Sequence, residues 1–262
     1  MMNKVLTVIF FGLCTATALG QTPAGGQTDE TAPPNIVGAD FLYQHYDRTD
    51  TLGSAFSKTK HRAQGAGFQA EIEAMIMRIG YRGQITTAST ARITTPSGRT
   101  ARTEDAINQR HILLAGLSFG PSPLKIGAGY LFMTNNRQGQ DRIDNRWYGF
   151  LLGGSGGMDL NSKFSLDGQA FVAPWLKRRE VTDLCTTNRI SGVPVSSCVP
   201  RVRRNNAYAL LVEGGATWWV LPFFGIRGGV DFLTARGENT NVPGRKENFN
   251  FLTASGGGRF RF

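Results

Sequence analysis

Phe224-Gly225-Ile226-Arg227-Gly228-Gly229-Val230-Asp231-Phe232 alternates without a break. Phe224, Ile226, Gly228, Val230 and Phe232 fall on one side, Arg227 and Asp231 on the other. Successive side chains of a β-strand point to opposite faces, so this period of two writes a strand with one apolar and one charged face. In a secreted sandwich the apolar face would be the core. In a barrel that crosses a membrane the faces exchange, with apolar residues against lipid and charges lining the interior.

The neighbouring segments follow the same rule. Tyr208, Leu210, Val212, Gly214, Ala216 and Trp218 share a face opposite Glu213 and Thr217. Within 164–172, Ser165, Asp167 and Gln169 are polar between apolar or small residues. Extending this outward gives ten strands near 36–46, 62–77, 82–93, 110–119, 124–134, 146–156, 163–177, 205–219, 224–234 and 248–262. Residues 70–79 (AEIEAMIMRI) suit a helix on propensity, which leaves eight or twelve strands open. Short connections carry turn residues at 120–123, 159–162 and 221–222, while polar stretches at 47–60, 94–109, 135–145, 178–204 and 235–247 read as long loops. Short turns at one end and long loops at the other are the layout of an up-and-down transmembrane barrel.

Aromatic residues gather at two levels. Trp218, Trp219, Phe223 and Phe224 crowd one short turn, and Trp147, Tyr148 and Trp175 lie near the opposite strand ends, where interfacial girdles belong. The charges expected inside are Glu71, Glu73, Lys125, Asp167, Glu213, Arg227, Asp231 and Arg259. A turn centred on Pro222 sets Glu213 against Asp231 and Thr217 against Arg227. Two opposed carboxylates require a cation between them, with Arg227 the nearest and Arg259 the next. About ten strands leave an interior filled by side chains, whereas open channels come with roughly sixteen. The expectation is a plug of paired charges.

The chain closes on Gly256-Gly257-Gly258-Arg259-Phe260-Arg261-Phe262. A terminal aromatic preceded by alternating residues resembles the last strand of bacterial outer-membrane barrels, and 224–262 resembles the end of the small OmpA-type and opacity-type class. Gly256 and Gly258 depart from that pattern. The resemblance implies that Phe260 and Phe262 form the signal read by the barrel-insertion machinery. Together with the alternation, the expectation is an all-β single closed barrel over 36–262 with both ends periplasmic and no periplasmic peptidoglycan-binding domain after it.

Met1-Met2-Asn3-Lys4, an apolar run from Val5 to Leu13 and the small residues before Gln21 read as a signal peptide over 1–20. Residues 21–35 read as a flexible lead-in, rich in Gly, Pro and Thr. No stretch of the mature chain reaches the ~18 apolar residues of a membrane helix. Cys185 and Cys198 remain after cleavage, and in an exported protein their expected state is a disulfide. Net charge is +10. Export rules out nucleic acid as a partner, so the basic residues point to anionic surfaces. Arg92, Arg99, Arg102 and Arg110 flank one loop, and Lys177, Arg178, Arg179, Arg189, Arg201, Arg203 and Arg204 crowd the base of the cysteine loop. Phosphates of the protein's own lipopolysaccharide are the expected counterion, ahead of a surface glycan.

No enzyme, cofactor or metal site is expected. The mature histidines are His45, His61 and His111, all read near loop-side strand ends. A rim protease of the omptin type calls for paired aspartates and an Asp–His pair, and a lipid-deacylating barrel for a Ser–His arrangement. Neither spacing stands here. The reading is an outer-membrane barrel with a structural or surface-interaction role, then a narrow passive pore, then a rim hydrolase.

Overall fold

The computed structural model describes residues 35–74, 76–118, 124–138, 142–190, 193–239 and 244–262. Ten antiparallel strands run in chain order: β1 (Ile36–Leu52), β2 (Ala55–Ala74), β3 (Met77–Thr95), β4 (Gly98–Ser118), β5 (Leu124–Gln138), β6 (Arg142–Asn161), β7 (Phe164–Ile190), β8 (Val193–Leu221), β9 (Phe224–Asn239) and β10 (Arg245–Arg261). Each strand pairs with its sequence neighbours and β10 returns to β1, so the sheet closes and has no free edge around the ring. The closing register runs from Ile36 opposite Arg261 to Leu52 opposite Arg245. Beyond it Asn35 and Phe262 exchange two backbone hydrogen bonds, each of 3.1 Å, so the ladder takes in the last residue of the expected lead-in. The signal reading at 1–20 and the rest of the lead-in lie outside the described residues.

The ten expected strands are the ten found, but they are longer. Most of the residues expected as loops at 47–60, 94–109, 135–145, 178–204 and 235–247 continue the ladders. The turn at Gly53-Ser54 takes only two residues, with Gly53 at a φ of +58° that glycine adopts without strain. The physical reason is plain: above the apolar band a hairpin meets water on its outer face, so its sequence carries no apolar alternation while its backbone still pairs. β7 and β8 count 27 and 29 residues, against the ~9–11 that cross a bilayer. The histidines therefore stand within strands and not at their ends.

Residues 70–74 and 77–79 are strand, with a turn at Ile76: β2 ends at Ala74 and β3 starts at Met77. Ile72, Met77 and Ile79 all face outward, which a helix would not arrange. The outer wall is apolar through its lower half, with Leu124, Ile126, Phe150, Val172, Val212, Ile226, Val230 and Phe232 exposed. The aromatic girdles need correction. Trp218, Tyr148 and Trp175 face out, but Trp147 and Trp219 are buried inside. Adjacent residues of a strand cannot share a face, so one member of Trp147-Tyr148 and one of Trp218-Trp219 must turn inward.

Candidate functional site inside the barrel

Every strand sends alternate residues inward, and those residues form three layers. Nearest the turn end, Arg259 donates to both oxygens of Asp40, at 2.9 and 2.8 Å, and to Gln69 Oε1 at 3.2 Å. Glu71 pairs with Arg78, and Glu73 with Lys125. Above them, Arg227 forks between Asp167, with Nε to Oδ1 at 3.0 Å, and Glu213, with Nη2 to Oε1 at 3.0 Å. Arg82 also pairs with Glu213, to which Gln169 donates at 2.9 Å. Asp231 is held by Arg110 at 2.6 Å and by Gln84 at 3.4 Å. Arg82, Arg110 and Arg227 thus balance Asp167, Glu213 and Asp231.

Two of these pairs cross the bore. In a ring of ten, β3 lies opposite β8 and β4 opposite β9. Arg82 on β3 reaches Glu213 on β8, and Arg110 on β4 reaches Asp231 on β9. In both pairs the side chains meet from diametrically opposed walls. Two charges removed from water cost several kcal/mol each, so such groups persist only when they are mutually paired.

Glycines make room for the guanidinium planes. Gly215 and Gly229 face each other across the β8–β9 ladder. A Cβ on Gly215 would stand 2.4 Å from Arg227 Nη2, and one on Gly229 would stand 2.7 Å from Nη1. Gly38 does the same for Arg259, whose Nη1 would lie 2.3 Å from an added Cβ. These inward glycines are floors on which a planar cation lies flat.

The second layer is apolar. Trp147 meets Phe249 edge-on at 4.3 Å between centroids, and Tyr46 meets Phe251 at 4.7 Å. Leu131, Met133, Leu176, Leu211 and Leu233 are buried around them. Trp147 on β6 and Phe249 on β10 come from well-separated walls, so this layer also spans the interior. Beside it Gln44, Thr86 and Asn108 form a hydrogen-bonded triplet, Gln44 Oε1 accepting from both partners at 2.9 Å.

The third layer stands beyond the apolar outer wall, toward the hairpin end. Arg48 pairs with Glu180 at 3.2 Å, and Arg178 with both Glu180 and Glu247. Arg203 approaches Glu180 at 3.4 Å, and Arg245 approaches Asp50 at 3.3 Å and Glu247 at 3.4 Å. The Arg178 guanidinium lies over Phe249 at 4.6 Å and Trp147 at 5.0 Å, tying this layer to the aromatic one. Burial alone would push the Glu180 carboxyl upward. Arg48, Arg178 and Arg203 outweigh it and hold the group down at about 2.

The structure regroups the residues singled out from sequence. Glu213, Asp231, Arg227 and Asp167 come together inside. Arg259 does not join them, because the closing register sets it beside Asp40 and Gln69 instead. Arg110, read as a loop-flanking cation, is a buried lumen residue. The basic group at 178–204 is divided by strand alternation. Arg178 is buried inside and Arg203 turns toward Glu180, whereas Arg179 and Arg204 are exposed on the outward face; Arg201 shares the parity of Arg203 but is exposed farther along the hairpin. Cys185 and Cys198 are directly opposed in the β7–β8 ladder. Phe260 lies on the outer wall with its ring 5.0 Å from that of Phe224, and Phe262 is exposed beside it. Asp40 and Arg82, with Arg48, Glu180 and Glu247, escaped the sequence reading, and Arg110 escaped it as a lumen residue. Their parity with Tyr46, Gln84, Ile112, Leu176 and Phe249 would have placed them inside.

No protein-family model matches the chain, and neither does any curated protein. Among solved structures it is similar to the outer membrane protease OmpT from Escherichia coli, at 11% identity and a TM-score of 0.58, over 88% of this chain and 98% of that one. The likeness is one of fold. Neisserial surface protein A also matches, at 14% identity over 89% of this chain and 100% of that one, but its TM-score of 0.36 supports no argument.

The histidines are dispersed. His61 is buried with its ring 5.4 Å from that of Tyr46. His111 hydrogen-bonds Tyr81 Oη at 2.8 Å on the outer wall. His45 sits between Arg62 and Leu252 in the ladder. Among the described residues no group of three or more His, Cys, Asp or Glu is placed to hold a metal ion.

Proposed function

We propose that the chain is an integral outer-membrane protein whose barrel is closed by its own side chains, with a structural or surface-interaction role and no diffusion path. The observation that carries this reading is the pair of ion bridges across the bore, Arg82–Glu213 and Arg110–Asp231, capped by the Trp147–Phe249 layer. The apolar lower half of the outer wall faces lipid, the short turns face the periplasm, and the long hairpins stand outside. Exposed cations on those hairpins, Arg179, Arg201 and Arg204, supply the basic surface. Cys185 and Cys198 join as a disulfide within the tallest hairpin. OmpT is a protease by its name, but the histidines here have no shared cleft, which supports a non-catalytic reading.

Two measurements test this. The protein should fractionate with outer membranes and migrate faster on SDS gels unheated than boiled. Proteoliposomes carrying it should show no swelling in small sugars. A soluble periplasmic protein would end the reading, and rapid swelling would replace it with the passive pore.

A further inference from the structure

The hairpin of β7 and β8 outlasts its neighbours. On one side the β6–β7 ladder ends with Arg142 opposite Asp183, and on the other the β8–β9 ladder ends with Asn205 opposite Asn239. The two strands stay paired with each other up to Ile190 opposite Val193. Residues 184–190 therefore run on for about 20 Å with no ladder partner on the β6 side among the described residues. Only three residues join β5 to β6, too few to climb that far and return.

Two prolines show which backbone groups that side presents. Proline has no N–H, so within a ladder it takes a position whose polar groups point away from the partner strand. Pro194 and Pro200 thus turn away from β7, and the residues opposite them, Arg189 and Asp183, turn away from β8. The base of the hairpin agrees. There Trp219 N donates to Lys163 O at 2.7 Å, which sets odd-numbered residues of β8 toward β7 and even-numbered ones away. Cys185, Thr187 and Arg189 consequently aim their N–H and C=O groups at the open side. An exposed row of this kind is a template for another strand, and proteins blunt it with proline or charge. The β8 edge is blunted by Pro194 and Pro200. The β7 edge from 184 to 190 has no proline and one charge, Arg189.

We propose that the β7 edge over Cys185, Thr187 and Arg189 is a strand-addition site for an extended, acidic segment of a partner polypeptide. The site deepens the surface-interaction role given above and rests on the outer-membrane reading that sets this hairpin outside. Main-chain hydrogen bonds along the edge supply the attachment. Residues 177–204 carry seven cations and two carboxylates, which favours Asp or Glu in the partner. A second copy fits poorly. Two barrels upright in one membrane would bring identical edge residues level and parallel, whereas a parallel ladder sets each bonding residue level with one that points away.

The test uses full-length protein refolded into phosphatidylcholine vesicles and a synthetic peptide of alternating Thr and Val with Glu at each end. Bound peptide should slow hydrogen exchange at the amides of Cys185, Thr187 and Arg189. A copy N-methylated at alternate residues should neither bind nor protect. Thr187 and Ser196 face each other in the ladder, each with its N–H directed outward, so one variant at each position addresses one edge. Thr187→Pro should bind the peptide about tenfold more weakly through lost ladder bonds. Ser196→Pro should stay within about twofold of wild type. Wild-type amides left unprotected would overturn the proposal without any variant. So would equal binding of the N-methylated copy, Thr187→Pro binding as wild type does, or equal loss in both variants. Barrel dimers crosslinked along β7 would make the occupant a second copy and overturn it too. Protein that shows the gel shift yet fails these tests brings down this proposal alone. Protein that neither inserts nor shifts brings down the outer-membrane reading as well.

Discussion

Arg110 and Asp231 meet at 2.6 Å although their strands, β4 and β9, stand on opposite walls of the barrel. A contact between opposed walls makes the charge cluster a crosspiece as well as an inward lining. Both side chains are almost fully withdrawn from solvent. Each therefore depends on the other, and a change at one leaves a buried charge at the other.

Arg227 is the first place to examine that dependence. Its fork serves Asp167 and Glu213, and its plane rests on Gly215 and Gly229. Arg227→Ala should lower barrel stability by about 3 kcal/mol, the usual cost of removing one partner of a buried pair. Urea titration followed by the gel shift measures this. Gly215→Leu should mimic part of the loss with the arginine still present, because the added side chain occupies the guanidinium's place. Unchanged stability in both variants would show that the fork is incidental.

The facing positions of Cys185 and Cys198 lead to a chemical test. Non-reducing peptide mapping should recover the two joined in protein from intact cells. The double serine variant should still insert, since the barrel closes below that hairpin. On the chain-entropy model a loop of this length is stabilised by roughly 3 kcal/mol, felt as slower proteolysis of the hairpin. Free thiols in intact cells would remove the crosslink.

Phe262 pairs its backbone with Asn35 and ends the outward aromatic face of β10. Its deletion, or Phe262→Asp, should sharply reduce the membrane-inserted fraction while export continues. Pulse-labelled fractions compared by the gel shift give that ratio. Normal insertion of either variant would mean that Phe262 carries no assembly signal.

The sequence was readable where one face met lipid and the other did not. Around Pro222 the alternation is clean, and the pairs Glu213–Asp231 and Thr217–Arg227 stand in the register that the turn implies. Legibility failed where both faces are polar. In β7 Arg178 lies inside and Arg179 outside, but charge on both sides hides the period, and the strand looks like a loop. Register across the closing seam was also illegible, because β1 and β10 are adjacent through ring closure and not through a turn. That is why Arg259 was assigned to Glu213 and Asp231 when its partner is Asp40, 219 residues away in the chain. The inner aromatic layer was hidden for a related reason: Trp147 next to Tyr148 looks like one girdle until alternation separates them.

Planar-bilayer recording of the refolded protein tests the closed bore most directly. The wild type should show no stable conductance steps, and Arg110→Ala should be less stable and admit ions by opening one crosspiece. A wild type that conducts in steady, open steps, or an Arg110→Ala variant unchanged in both stability and conductance, would contradict the account.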